Sequence, residues 1–231
     1  MKLFSTLLAA ASISTAVAVA APATAQVQGN IATVNLPAVV INTNAFGTAY
    51  QQIATTYKPQ IETIQARQQE SQTLLQQLDT NNDNQLDEAE QQAAQNSSQA
   101  QRLQAIEQEV AQLSNQVEAA RVYAVEQILA QYRASLEQVV QQQQIQLVLT
   151  PDVVVYAPPA ANITQQVTAA LNTRVPSVAI VPPQGWQPTR NAVGVYQQIQ
   201  QTLAAAQAIQ AQQQAAQAQQ QQPATQAPSG R

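Results

Sequence analysis

The sequence predicts a mostly α-helical α+β protein, in which one long antiparallel helical hairpin stands on a small β-body. Three observations lead there. Leu103, Ile106, Val110, Leu113, Val117, Ala120 and Ala124 recur at alternating spacings of three and four, the apolar seam of a coiled coil. Neither Pro nor Gly occurs between residues 60 and 150. Short β-prone runs lie at both ends of that stretch, Ile31–Leu36 before it and Ile145–Thr150 and Val153–Tyr156 after it. Composition agrees. Of 231 residues only 10% are charged and 4% aromatic, with two Phe and one Trp. The apolar 45% is therefore mostly Ala and Val, which suits narrow helical seams better than a thick globule.

The elements follow in order. Residues 26–43 carry the N-terminal strand, with Asn35, Asn42 and Asn44 as turn and cap formers. The arm occupies 44–144. Asn44 is placed as the cap of a helix carrying Phe46, Tyr50, Ile53 and Tyr57, and Pro59 either kinks that helix or starts a new one. The stripe continues through Ile61, Ile64, Leu75 and Leu78, with Gln68 and Ser71 as polar members. The returning helix extends its seam through Ile128, Tyr132, Leu136, Val139 and Val140. Each limb would run on the order of 60–75 Å at about 1.5 Å per residue. Gln91–Gln101, almost all Gln, Ala, Ser and Asn, makes the distal end the least stable part. Residues 145–176 hold a β-hairpin turning at Thr150, Pro151 and Asp152, then a short helix with Val167, Leu171 and Val175 on one face. Residues 177–231 are a Pro-containing segment and an Ala/Gln-rich flexible tail.

The first 25 residues have the pattern of an export signal: Met1 and Lys2, an apolar run from Leu3 to Val19, and a small-x-small site at Ala23, Thr24 and Ala25. Cleavage there leaves 8 bases and 13 acids, a net −5. An acidic chain is a poor partner for nucleic acid. No later stretch reaches the roughly 18 apolar residues of a spanning helix, so stable membrane insertion is not expected. Without His or Cys there is no Ser-His-Asp triad, thiolate nucleophile, thiolate zinc site or disulfide. No acid pair sits in an apolar context either, so the chain does not read as an enzyme.

Ile31–Asn35, Gln146–Leu149, Val154–Tyr156 and Asn162–Asn172 carry a family resemblance over roughly residues 28–176. Their order around a long helical hairpin resembles the Skp/OmpH family of periplasmic chaperones. Asn162–Asn172 is similar to that family's Asp-Ile-Thr…Leu-Asn stretch, with Asn162 in place of Asp. The resemblance implies a homotrimer whose strands form a small barrel, whose arms enclose a cavity, and which holds unfolded outer-membrane proteins in the periplasm without ATP. Unpaired strand edges would be closed by such assembly. The arms depart from the family's basic character. Residues 58–143 hold 12 acids and five bases, Lys58, Arg67, Arg102, Arg121 and Arg133, so attraction to anionic lipid or lipopolysaccharide is not expected. The rival readings are a structural coiled-coil protein of the envelope and a calcium-responsive adaptor.

The last rival comes from the hairpin turn. Residues 79–90 resemble the twelve-residue EF-hand loop, with Asp79, Asn81, Asp83 and Asp87 at positions one, three, five and nine and Glu90 at twelve. Gln85 would offer its backbone carbonyl at position seven, and Leu86 is the apolar anchor. Ca²⁺ takes 6–8 oxygens, and this spacing supplies them on a tight turn. Asn84 stands where the motif has Gly, and Asn adopts the left-handed conformation better than other non-Gly residues. The competing reading is a solvated acidic turn in which Asp87 caps the next helix with Glu88 and Glu90 in its first turn. Elsewhere, Trp186 is expected to pack a C-terminal segment onto the body. Tyr123 and Tyr132 are expected on the seam or surface. Arg121 and Arg133 are at helical spacing from Glu118 and Glu137.

Overall fold

The computed structural model describes residues 30–81 and 83–220, with side chains to residue 217. The export signal and the last eleven residues lie outside the described residues. Strand β1 (Asn30–Thr33) leads into helices α1 (Leu36–Ile41), α2 (Asn44–Thr56) and α3 (Lys58–Leu78). A loop connects to α4 (Glu88–Ala94), and α5 (Ser98–Gln142) returns to strand β2 (Ile145–Leu149). Helices α6 (Thr164–Arg174) and α7 (Arg190–Gln220) follow. The protein is thus mostly α with a small two-stranded sheet among the described residues.

Local chemistry explains the boundaries. Asn35 caps α1 by accepting from the Ala38 N–H at 2.9 Å, and Pro37 occupies its first turn. The cap of α2 is Thr43 rather than Asn44. The Thr43 hydroxyl accepts from the Phe46 N–H, while the Asn44 N–H donates to the Asn172 side chain. Pro59 starts α3 as a separate helix, because its ring is tolerated where no intrahelical N–H is needed. Ser97 caps the 45-residue α5, about 68 Å long at roughly 1.5 Å per residue.

The two strands pair in parallel, with Ala32 opposite Val148 and Thr33 opposite Leu149. Parallel neighbours need a crossover, and here the whole arm is that crossover. Thr33 also bridges to Asn162. The expected β-hairpin does not form. Pro151–Val153 is a 3₁₀ turn, and Val154–Tyr156 has no partner strand among the described residues. Pro151 lacks an N–H and fixes φ, so the turn leads the chain off the sheet instead of folding it back along β2.

The core lies at the base of the arm. Val39, Val40, Ile128, Val167, Leu171 and Ile199 are fully buried there, joining α1, α5, α6 and α7. A smaller cluster of Ala49, Ile53, Val117, Ala120 and Ala124 locks α2 against α5 at the arm's root. Farther out the packing thins, and α3 has no fully buried residue. The expected flexible tail needs correction. Ala192, Val195, Tyr196 and Ile199 bury one face of α7 against the body, and only from about residue 204 is the helix exposed all round.

Candidate functional site

Four regions carry chemistry. The first is the unpartnered side of the β-body. Val153, Val155 and Tyr156 are 68%, 106% and 85% exposed, and Ile31 and Leu147 on the two strands are also open. These β-branched and aromatic side chains follow shortly after β2, whose outer edge has no partner strand among the described residues, and together they offer a surface suited to adding strands.

The second is the arm. Arg67 on α3 grips Glu109 on α5 in bidentate fashion, at 2.7 and 3.3 Å, and holds Glu70 at 2.9 Å. Arg102 reaches back from α5 to Glu70 at 2.6 and 2.9 Å. The four charges fix the register of α3 against α5 where apolar burial is weakest. Arg102, and then Arg67, hold the Glu70 carboxyl below its ordinary range against a partial desolvation that opposes them. Arg133 pairs with Glu137 as the spacing suggested. Arg121 does not pair with Glu118. Its guanidinium turns inward instead, 5.9 Å from the centre of the Tyr50 ring.

The third is the loop at the tip. Asn84 takes φ 63°, as the sixth position of the motif requires, and its N–H donates to Asp79 at 2.8 Å. Asn81 accepts from the Asp83 N–H and Asp83 from the Gln85 N–H, each at 2.8 Å. Asp87 caps α4, with Glu90 reaching back to the Asp87 N–H in a capping box. The buried Glu90 carboxylate also accepts from the Thr80 hydroxyl and N–H at 2.7 Å and from the Asn81 N–H at 3.2 Å. The Thr80 hydroxyl first, and then these N–H groups, draw its pKa down despite burial. The six motif residues Asp79, Asn81, Asp83, Gln85, Asp87 and Glu90 are therefore brought to one turn. Their carboxylates engage N–H donors rather than facing a common centre. Among the described residues no three His, Cys, Asp or Glu side chains are grouped to hold a metal ion.

The fourth is the C-terminal segment around Trp186, whose packing was expected but whose partners were not. Residues 176–200 wrap the root of the arm. Trp186 stacks edge-on against Tyr123 with ring centres 5.2 Å apart. Its indole and the Thr189 N–H both donate to Glu126, and the Gln127 amide both donates to and accepts from the Ala179 backbone. Trp186 itself was expected to pack. Its partners on α5 look like ordinary surface residues in the sequence, and a lone indole N–H in need of an acceptor is the one signal that points to them.

The sequence model of the family described as outer membrane protein (OmpH-like) matches residues 30–171. That range takes in β1, the whole arm, β2 and most of α6. The chain belongs to the OmpH family. Among solved structures, the chain is similar to a protein from Caulobacter crescentus described as an OmpH-like outer membrane chaperone. The two share 18% identity with a TM-score of 0.47, over 68% of this chain and 91% of that one. No curated protein matches the chain. The OmpH match stops at residue 171, so the Trp186 wrap and α7 lie beyond it. No helix among the described residues is long and apolar enough to cross a membrane.

Proposed function

We propose that this OmpH family member is an ATP-independent holdase of the periplasm, which assembles as a homotrimer and holds unfolded outer-membrane proteins between its arms. The observation that carries this reading is the family match running through sheet, arm and α6 together. Two features of the chain support it. Val153, Val155 and Tyr156 are exposed β-prone residues a few positions after β2, whose outer edge has no partner strand among the described residues, and three copies would close such edges around a common body. The arm has a narrow seam and a largely neutral Gln/Ala surface, so it presents many weak contacts instead of one deep pocket. Capture would rest on apolar contact and confinement rather than on positive charge. Diluting a urea-unfolded β-barrel protein into the mature chain tests this. The holdase reading expects aggregation to be suppressed near one trimer per client, and light scattering to give three times the chain mass. Unchanged aggregation would leave the spacer reading in its place.

A second reading concerns the tip. The left-handed Asn84 and its N–H bond to Asp79 favour a Ca²⁺-binding turn. The ion would be held by Asp79, Asn81, Asp83, the Gln85 carbonyl, Asp87 and Glu90, after Glu90 leaves the N–H groups it now accepts from. A single site of this kind belongs to the weak class, with Kd of about 10⁻⁴–10⁻³ M. Isothermal titration with Ca²⁺ should give heat for the wild type and less for Glu90→Gln. No heat from either ends this reading.

A further inference from the structure

Alongside the ion pairs of Arg67 and Arg102, the two limbs of the arm part around an open cleft of about 800 Å³. Its floor is aliphatic, formed by Leu75 and Leu78 of α3 and Leu103, Ile106 and Val110 of α5. The hollow follows from the seam. Gln68 and Ser71 on α3, and Ala94 and Ala100 opposite, are polar or small where a filled coiled coil would place Leu or Ile. Leu75 is left 41% exposed as a result.

We propose that this cleft seats apolar side chains of an extended, unfolded polypeptide. The proposal rests on the holdase reading and names the contact surface within it. Volume comes first. A largely apolar cleft of this size lies within the range of about 300–1,000 Å³ that takes ligands, so it accepts several side chains at once. The rim is the second argument. Gln72, Gln91, Gln95 and Gln104 border the aliphatic floor. Each amide both donates and accepts, so the rim matches the unpaired N–H and C=O groups of an extended backbone whatever its sequence. Long flexible side chains re-orient to suit many clients. Charge is the third. Glu107 is the one ionisable residue lining the cleft among the described residues. Arg67 and Arg102 beside it are already paired with Glu109 and Glu70, so an anionic lipid headgroup would meet a carboxylate and compete with two more, whereas a neutral apolar segment meets no opposing charge.

The absence of Cys allows a clean test on the full chain. Gln72→Cys carries an environment-sensitive fluorophore at the rim, and Thr55→Cys, exposed on α2, serves as control. Adding a urea-unfolded β-barrel protein should shift the Gln72 label to the blue and leave the Thr55 label unchanged. Filling the cleft with Ser71→Leu and Ala100→Leu together should weaken client affinity about ten-fold, the scale of losing one buried apolar side chain. Equal affinity in the filled variant with a silent Gln72 label overturns the proposal while the holdase reading stands. A wild type that binds no unfolded client overturns both. A Gln72 shift with anionic vesicles but not with polypeptide also overturns it. If the filled variant loses its helical signal, the label alone decides.

Discussion

The indole N–H of Trp186 donates to Oε2 of Glu126 at 2.7 Å, across 60 residues of sequence. The other carboxylate oxygen takes the Thr189 N–H at 3.0 Å. One carboxylate on α5 thereby ties down both the Trp segment and the start of α7. Burial alone would raise the Glu126 pKa, but the hydroxyl and N–H of Thr189 and the indole together bring it below the ordinary value.

Trp186→Ala should therefore loosen the wrap. Hydrogen exchange over residues 176–200 should rise sharply, with stability falling by about 2 kcal/mol, less than the roughly 3–5 expected for a fully buried Trp. Trp186→Phe keeps the ring contact with Tyr123 and removes only the donor, so its effect should be the smaller of the two. Unchanged protection in Trp186→Ala would show that the segment is held by something else.

Body and arm should respond differently to truncation. Leu171 is fully buried where α6 meets α5, and Leu171→Ala should destabilise by about 2–5 kcal/mol in denaturant titration. Leu75 is half exposed in the distal arm, and Leu75→Ala should change stability by under about 1 kcal/mol. Equal losses would mean that the arm contributes as much as the base.

Acid should open the arm and release the wrap before it melts the core. Glu70, Glu90 and Glu126 all have pKa values lowered from the ordinary 4.5. A carboxyl depressed on folding stabilises the native state above its unfolded pKa, and that contribution is lost as pH falls through the folded value. Stability of these regions should then be level above about pH 5 and decline below about 4.5. Exchange measured peptide by peptide at pH 7 and pH 4 checks this. Glu70→Gln should flatten the response of the limbs around Arg67 and Arg102 and leave those of the tip and of the 176–200 segment intact.

If copies join through the open edge, blocking it should dissociate them. Val155→Pro removes an N–H donor and fixes φ in the exposed run. Light scattering should then report a lower mass with the helical circular dichroism signal retained. An unchanged mass would place the assembly surface elsewhere.

Much of the layout was legible because it follows from local pattern. The seam residues Ile106, Val117, Ala120 and Ala124 are buried as their spacing requires, and so is the α6 face of Val167 and Leu171. The partner of β2 was not legible. Val153–Tyr156 has strong β propensity, yet propensity says nothing of which edge is free, and Pro151 decides the direction of the chain. In α7, low overall complexity hid a short stripe, Ala192, Val195, Tyr196 and Ile199, whose spacing is helical and whose residues are buried. At the tip, the same residues satisfy the cation-loop pattern and the capping box, so spacing alone does not choose between them.

The parallel pairing of β1 with β2 has a consequence for the order of events during folding. The Asn30 side chain donates to the carbonyl of Gln143, 113 positions later, and the Asn35 N–H donates to Thr164, 129 positions later. Closing so long a chain segment carries an entropic toll that only late contacts repay, and high contact order slows folding. Limbs α3 and α5 depend on nearer neighbours and are complete by residue 142. The stalk therefore finds its partners at shorter range than its foot does, and β1, the earliest strand described, is among the last elements to find its place.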